Sequence, residues 1–190
     1  MSKPNQIKAT LLGATGLIGS HLLDFMVKDK NVSSIVVINR RRVGYKNSKI
    51  QEVVINFADM QAFQDAIEPK SAIFCAIGTT NKKVKGDKNK YRSVDYDIPV
   101  NAAKFGLKKD CSSFILVSSI GADPKSSNFY TRLKGEVEEE VASLSYHNLH
   151  IFRPSMLLGQ RKEFRFGEKV AKFLMQTFSF LFPSKYKPIK

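Results

Sequence analysis

The chain has 190 residues, with 31 lysines and arginines against 17 aspartates and glutamates, and a formal net charge of +14 at pH 7. This length suits one domain with a hydrophobic core. No apolar run reaches membrane-spanning length, so no transmembrane segment is expected. Cys75 and Cys111 lie in apolar runs without metal-ligand spacing, which predicts buried free thiols, no metal site and a reducing, cytoplasmic location.

Three glycines follow the first predicted strand, residues 7–12. Gly13, Gly16 and Gly19 separate this strand from helix-spaced apolar residues at 17–27. Glycine permits close backbone approach, and a helix N-terminus offers free N–H groups to an anion. The alternative is a tight turn that merely needs glycine, but the strand-to-helix context favours a dinucleotide pyrophosphate site. Its predicted members are Gly13, Ala14, Thr15, Gly16, Leu17 and Ile18.

The second predicted strand, residues 34–39, ends in Arg40, Arg41 and Arg42. In sheets of this type, a carboxylate near this point binds the ribose 2′-hydroxyl of NAD. Arginine instead suits the 2′-phosphate of NADP, because its planar guanidinium donates paired hydrogen bonds. The arginines therefore predict NADP(H) as the cofactor, with a solvated basic turn as the alternative.

Further strand and helix patterns alternate along the chain. Strands are predicted at 51–55, 71–76, 113–117 and 149–152, and helices at 60–67, 91–105 and 128–144, with Pro99 disturbing the second of these helices. This alternation implies parallel strands joined by right-handed crossovers. The predicted fold is a single α/β domain, residues 1–190, with a doubly wound parallel sheet and helices on both faces, and its ligand site is expected at the carboxyl ends of the strands.

Residues 81–90 carry a lysine cluster. It is open to three interpretations: a solvated surface, a nucleic-acid or anionic-membrane footprint, or a positive field around a polyanionic cofactor. No aromatic-interleaved basic motif or zinc-finger spacing accompanies it, so nucleic acid is not an expected partner.

A serine pair and a Tyr-x-x-x-Lys motif follow the fifth predicted strand. Ser118 and Ser119 lie at its carboxyl end, and Tyr130 and Lys134 share a face of the next helix. A nearby ammonium favours the phenolate form of tyrosine and makes it a usable acid and base. A serine hydroxyl can bind a substrate oxygen as charge develops. The combination predicts a hydride-transfer site.

Residues 170–182 are strongly apolar and helix-like. An apolar helix of this kind is expected to pack against another part of the protein, a partner or a membrane. It could form a homodimer surface, a membrane-surface anchor, or a core helix whose partner segment is missing. We favour the third interpretation.

Five segments together resemble the atypical short-chain dehydrogenase/reductase superfamily, and within it the Tat-interacting oxidoreductase-like branch. They are LLGATGLIGSHLL at 11–23, INRRR at 38–42, CAIGTTNKK at 75–83, SSIGADPKSSNFYTRLKGEVEEEV at 118–141 and IFRPSMLLGQRKEFRFGE at 151–168. The resemblance covers most of the chain. It implies an NADP-binding Rossmann fold.

The resemblance also implies residue roles. Tyr130 is the catalytic acid/base and also contacts the cofactor, Lys134 is its partner and a ribose ligand, and Ser119, or next Ser118, is the superfamily serine. Further cofactor contacts are implied for Arg40, Arg41, Ala76, Ile77, Gly78, Thr79, Thr80, Pro154, Met156, Leu157 and Arg165. Substrate or lid elements are expected at 79–90 and 155–190. Relatives continue further, so we expect a truncated carboxyl terminus.

One departure from the superfamily pattern bears on function. Many members use a catalytic asparagine on the fourth helix, and the nearest candidate in this chain is Asp95, so a full asparagine-dependent proton relay is not expected. Three hypotheses follow: an NADP(H)-dependent oxidoreductase of an unidentified small carbonyl or alcohol, a non-catalytic NADP(H)-sensing or partner-binding protein, and a nucleotide-sugar epimerase or dehydratase. The first is preferred, and the third is weakest because the chain is short for such a substrate domain.

Overall fold

A computed structural model describes residues 6–155 as six strands and five α-helices. The strands are β1 (Ile7–Leu12), β2 (Val32–Asn39), β3 (Ile50–Val54), β4 (Ala72–Cys75), β5 (Ser113–Val117) and β6 (Asn148–Phe152). The helices are α1 (Leu17–Lys28), α2 (Met60–Ala66), α3 (Lys88–Arg92), α4 (Ile98–Lys108) and α5 (Phe129–Ser143). A π-helical turn, Ser93–Asp97, joins α3 to α4.

The strands form one sheet in the order β3-β2-β1-β4-β5-β6, and every neighbouring pair is parallel. At the end of β1, Leu12 lies opposite Ile38 on one side and Cys75 on the other. From β1 the chain continues outward to β2 and β3 on one side, and it then crosses back so that β4, β5 and β6 extend on the other side of β1. The direction in which strands are added therefore reverses between β1 and β4. This reversal opens a crevice at the carboxyl ends of the strands. The predicted doubly wound α/β fold is confirmed.

Helices cover both faces of the sheet. Leu23 of α1 belongs to one buried cluster with Val37. Phe63 of α2 and Val137 of α5 belong to a second cluster, with Ile38. Because β2 is buried on both faces, its sequence is a continuous apolar run from residue 35 to 38 rather than an alternating one.

The helix predicted at 91–105 is three segments: α3, the π turn and α4. Pro99 lies in the first turn of α4 and has no N–H to donate to the carbonyl of Asp95, four residues earlier. The wide π turn comes where this α-helical bond is lost. Such turns are frequent at functional sites, and this one contains the buried Asp95.

The carboxyl-terminal predictions fall outside the described residues. These predictions are the apolar helix at 170–182, nearly all of the element at 155–190, and the cofactor contacts of Met156, Leu157 and Arg165.

Candidate functional site

Gly13 allows the β1–α1 turn to lie against the end of β4. Its φ is +88°, and a Cβ at this position would lie 2.5 Å from the carbonyl oxygen of Ala76. The N–H of Ala76 donates to the carbonyl of Leu12 at 2.9 Å, which continues the β1–β4 pairing to this point. A side chain at position 13 would therefore separate the turn from β4.

The N-terminus of α1 begins in this turn. Gly16 is its N-cap, and the first turn of the helix contains no acidic residue and no side-chain cap. The first N–H groups of the helix and the positive end of its dipole are thus available to an anion. A Cβ at Gly16 would lie 3.3 Å from the carbonyl oxygen of Gly13, so glycine avoids a tight contact within the turn. Residues 13–18, with their free N–H groups, are called the cradle. The cradle fits a pyrophosphate.

Gly19 and Gly16 are expected to differ in what an alanine disturbs. In Gly19→Ala the new Cβ would overlap the backbone carbonyl of Gly13, which should destabilise the fold by about 1–3 kcal/mol in urea unfolding. The contact at Gly16 is looser, so Gly16→Ala should lower the free energy of unfolding less than Gly19→Ala does. Because Gly16 begins α1 beside the predicted pyrophosphate site, Gly16→Ala should also weaken NADPH binding in calorimetric titration. Greater destabilisation by Gly16→Ala would contradict these packing roles.

The predicted arginines lie at the same edge of the sheet as the glycine turn. They follow Asn39 at the end of β2, which neighbours β1, and all three are exposed. The structure therefore brings Arg40 and Arg41 to the edge where the crevice opens.

Tyr130 lies in the first turn of α5 and is 37% exposed. The side chain of Asn128 accepts hydrogen bonds from the N–H groups of Tyr130 at 2.9 Å and Thr131 at 3.2 Å, which begins the helix there. The Tyr130 ring packs edge-on against Tyr91, with centroids 6.4 Å apart. The cap and the ring contact position Tyr130 while solvent still reaches it.

Lys134, one turn further along α5, forms a buried ion pair. Its Nζ lies 3.0 Å from Oδ1 of Asp95, and the two side chains are only 7% and 1% exposed. Burial raises the pKa of the Asp95 carboxyl, while the charge and hydrogen bond of Lys134 and the N–H of Thr79 oppose that rise. Removing either partner would leave the other group buried without its counter-charge.

The same groups position the loop after β4. The N–H of Thr79 donates to Oδ2 of Asp95 at 2.7 Å, and the Tyr91 hydroxyl donates to the Thr79 carbonyl at 3.3 Å. A Cβ at Gly78 would lie 3.5 Å from Oδ1 of Asp95. The loop predicted to contact the cofactor, Ala76, Ile77, Gly78, Thr79 and Thr80, is thus tied to the partner of Lys134. Sequence reasoning singled out Asp95 only as a departure and missed this pairing.

The two candidate serines differ in their surroundings. Strand alternation places Ser118 on the face of Phe114 and Leu116, which α5 covers. Its hydroxyl is buried and has no hydrogen-bond partner among residues 6–155. The Ser119 hydroxyl donates to the Ile120 carbonyl at 3.3 Å. A buried hydroxyl without a partner is costly unless a ligand satisfies it.

The segment after β6 returns to the same edge. The Pro154 carbonyl accepts the Ile120 N–H at 3.0 Å, beside the end of β5. The Arg153 guanidinium binds both carboxylate oxygens of Glu138 on α5, which raises the pKa of Arg153. Pro154 is therefore near the serine pair, whereas Arg153 is already bound within the protein.

Three further features of residues 6–155 bear on function: the grouping of metal-ligating side chains, the apolar character of the helices and the cysteine thiols. No group of three or more metal-ligating side chains occurs in that part of the chain. None of its helices combines the length and apolar character needed to cross a bilayer. Cys75 and Cys111 are buried free thiols, and burial raises the pKa of Cys75 to about 11, so this thiol stays protonated.

A family model described as NAD(P)H-binding matches residues 13–173. Among relatives, protein fmp52, mitochondrial, of Emericella nidulans is 35% identical over 86% of this chain and 72% of its own length. Protein HTATIP2 of Rattus norvegicus is 33% identical over 85% of this chain and 67% of its own length. Both relatives agree with the branch named from the sequence motifs.

Solved structures share the fold at low identity. The Bordetella bronchiseptica enzyme WbmG, solved in complex with NAD, has a TM-score of 0.70 at 13% identity, covering 93% of this chain and 62% of its own. The oxidoreductase ylbE of Lactococcus lactis has a TM-score of 0.66 at 17% identity, covering 82% and 72%. The chain spans under two thirds of several such structures, including a Thermotoga maritima UDP-glucose 4-epimerase, of which it covers 58%.

The relatives correct the predicted cytoplasmic location. Fmp52 proteins from Emericella nidulans, Meyerozyma guilliermondii and Aspergillus niger are named as mitochondrial. The prediction was wrong because it rested on two cysteines expected to be reduced, and reduced thiols do not separate the cytoplasm from mitochondria.

The glycine turn, the parallel sheet and the family match agree, and the chain belongs to the NAD(P)H-binding family of Rossmann-fold proteins.

Proposed function

We propose that this protein is an NADP(H)-dependent oxidoreductase of the short-chain dehydrogenase/reductase type, acting on a small carbonyl or alcohol. The observation that carries the proposal is the position of Lys134, one helical turn from the accessible Tyr130 and paired at 3.0 Å with Asp95, which in turn binds the loop after β4. This arrangement joins an acid–base pair to the edge of the sheet where the glycine turn lies. Following the names of its Fmp52 relatives, we propose a mitochondrial location for the protein.

The residues present fit the cofactor. The open cradle of Gly13 and Gly16 and the uncapped N-terminus of α1 suit its pyrophosphate. Arg40 and Arg41, exposed at the end of β2, suit a 2′-phosphate. When bound, NADP(H) supplies or accepts a hydride.

The protein's own groups would handle the proton and the substrate oxygen. The Tyr130 hydroxyl would give a proton to that oxygen or take one from it, with Lys134 one helical turn further along α5. A serine at the end of β5 would donate a hydrogen bond to the same oxygen. Ser119 is the superfamily position, but the buried Ser118 hydroxyl has no hydrogen-bond partner within the described part of the chain, so we assign this role to Ser118.

A non-catalytic sensor of NADP(H) is the second candidate. It is favoured by the bonds of Asp95 to Lys134 and to the Thr79 N–H, which give Lys134 a structural role that needs no proton transfer. Under this hypothesis the cofactor binds but no carbonyl is reduced.

Calorimetric titration of the purified chain with NADPH and with NADH tests the cofactor step shared by both candidates. We expect micromolar NADPH binding and much weaker NADH binding. Consumption of NADPH in the presence of a panel of small carbonyls then separates an enzyme from a sensor. Binding of neither nucleotide would refute both candidates for this chain.

Replacing Arg40 and Arg41 together with alanine is expected to weaken NADPH binding by about 100-fold, because two charge-assisted contacts to the 2′-phosphate are lost. NADH lacks that phosphate, so its affinity should change by less than about 3-fold. Calorimetry on the same preparations measures both affinities. A variant with Lys28 and Lys30 replaced by alanine removes the same charge at the carboxyl end of α1 and serves as the control. Equal weakening of both nucleotides would sink the arginine assignment.

A further inference from the structure

The turn that carries the arginines is tied to a carboxylate on the neighbouring strand. Oε1 of Glu52, on β3, accepts the Asn39 side-chain amide at 2.8 Å and the Val43 N–H at 2.7 Å. Its Oε2 accepts the Gly44 N–H at 2.9 Å. One side chain therefore bonds to both ends of the short segment that contains Arg40, Arg41 and Arg42.

The geometry of this segment depends on those bonds. Asn39 is buried at the end of β2, whereas Val43 and the arginines are exposed, so few packing contacts define the turn beyond Asn39. Gly44 has a φ of +79°, a conformation that other residues rarely adopt. The fixed points are thus Asn39 at one end and the N–H groups of Val43 and Gly44 at the other, and Glu52 binds all three.

Three N–H donors within the protein already bind the Glu52 carboxylate. Partial burial raises its pKa, but the hydrogen bonds from Gly44, Asn39 and Val43 and the charge of Arg42 outweigh this and lower the pKa overall. The side chain therefore stays ionised at neutral pH, and both of its oxygens are occupied by the turn itself.

We propose that Glu52 is a positioning residue that sets the cofactor preference, because it fixes the backbone that presents Arg40 and Arg41 to the 2′-phosphate of NADP(H). This inference rests on the proposed function for its cofactor. It assigns Glu52 a role opposite to that of a carboxylate that binds the ribose 2′-hydroxyl directly, which would favour NAD(H).

The test is Glu52→Gln, titrated with NADPH and NADH beside the unchanged chain. An amide nitrogen cannot accept the bonds that one carboxylate oxygen accepts, so the turn loses at least one of its attachments. We expect NADPH affinity to fall by about 10-fold and NADH affinity by less than about 3-fold. Simple removal of a negative charge would instead strengthen NADPH binding, so the expected direction is specific to positioning.

A control and an independent readout accompany the titration. Glu68→Gln removes one negative charge near the amino ends of β1 and β4, at the other end of the strands from the arginines, where Glu68 binds Lys8. It should leave both affinities unchanged. Amide hydrogen exchange without cofactor should show faster exchange at Val43 and Gly44 in Glu52→Gln than in the unchanged chain. Should Glu52→Gln fold poorly, Glu52→Asp keeps the charge but shortens the reach, and it should show the same selective loss of NADPH affinity.

The titrations and the exchange measurement have four distinguishable outcomes. Selective loss of NADPH affinity with faster exchange at the turn supports the inference. Selective loss of NADH affinity would overturn it, because Glu52 would then bind the ribose directly. An unchanged preference in the variants, with the unchanged chain preferring NADPH, overturns this inference alone. Equal binding of both nucleotides by the unchanged chain removes the cofactor preference from the proposed function, and this inference with it.

Discussion

Tyr130→Phe is expected to lower kcat by about 10²–10⁴-fold, the usual contribution of a positioned acid or base. The change deletes one hydroxyl from a side chain that is 37% exposed, and it keeps the ring that packs on Tyr91. The N-cap at Asn128 uses only backbone N–H groups of α5, so the helix should begin at the same residue. The dissociation constant for NADPH should stay within about two-fold, since the loss of one hydroxyl contact to the cofactor changes the affinity little.

The measurement is NADPH oxidation by the carbonyl substrate that the screen identifies, with calorimetry for NADPH binding. Tyr96→Phe is a suitable control, because Tyr96 lies in the π turn under the Arg92 guanidinium and has no role in the proposed chemistry. Turnover by Tyr130→Phe within two-fold of the unchanged enzyme would remove the acid–base assignment. NADPH binding with no turnover by the unchanged chain would favour the sensor.

Local patterns were sufficient to predict much of this fold. The apolar runs of β1 and β2 and the glycines between β1 and α1 are short-range signals, because strand burial and turn geometry depend on adjacent residues. The doubly wound parallel architecture followed from the alternation of strand and helix patterns, whereas the order of the strands was not predicted. Pro99 was recognised as a disturbance, but the π turn before it was not predicted, since the sequence does not say how a helix absorbs a missing N–H.

The contacts that organise the candidate site were harder to predict. Glu52 occupies an ordinary strand position, and only the pairing of β3 with β2 brings it to Asn39. Asp95 and Lys134 meet because the π turn packs on α5, a tertiary contact between segments far apart in the sequence. A single sequence contains the residue types of these networks but not their partners. The sequence shows Asp95 between Val94 and Tyr96, but it does not show that this carboxyl is buried.

Asp95→Ala is expected to lower the free energy of unfolding by about 3–5 kcal/mol, because it leaves the Lys134 ammonium buried without a partner. Adding Lys134→Met should recover much of this loss, because the unpaired charge is then removed as well. Burial raises the pKa of Asp95 and so disfavours its charged form, but the buried Lys134 ammonium still depends on that carboxylate as its partner. Chemical denaturation of the two single variants and the double variant measures the coupling.

An exposed ion pair between the neighbouring helices provides the matched comparison. Lys104 of α4 lies 2.7 Å from Glu140 of α5, closer than the buried pair, but the two side chains are 45% and 35% exposed. Glu140→Ala should therefore cost no more than about 1 kcal/mol, because water solvates the remaining ammonium. If Asp95→Ala costs equally little, Lys134 is not confined by burial, and its ammonium is free to turn to Tyr130 or a ribose without Asp95. A large cost with recovery in the double variant would show that burial, rather than distance, makes Lys134 depend on Asp95.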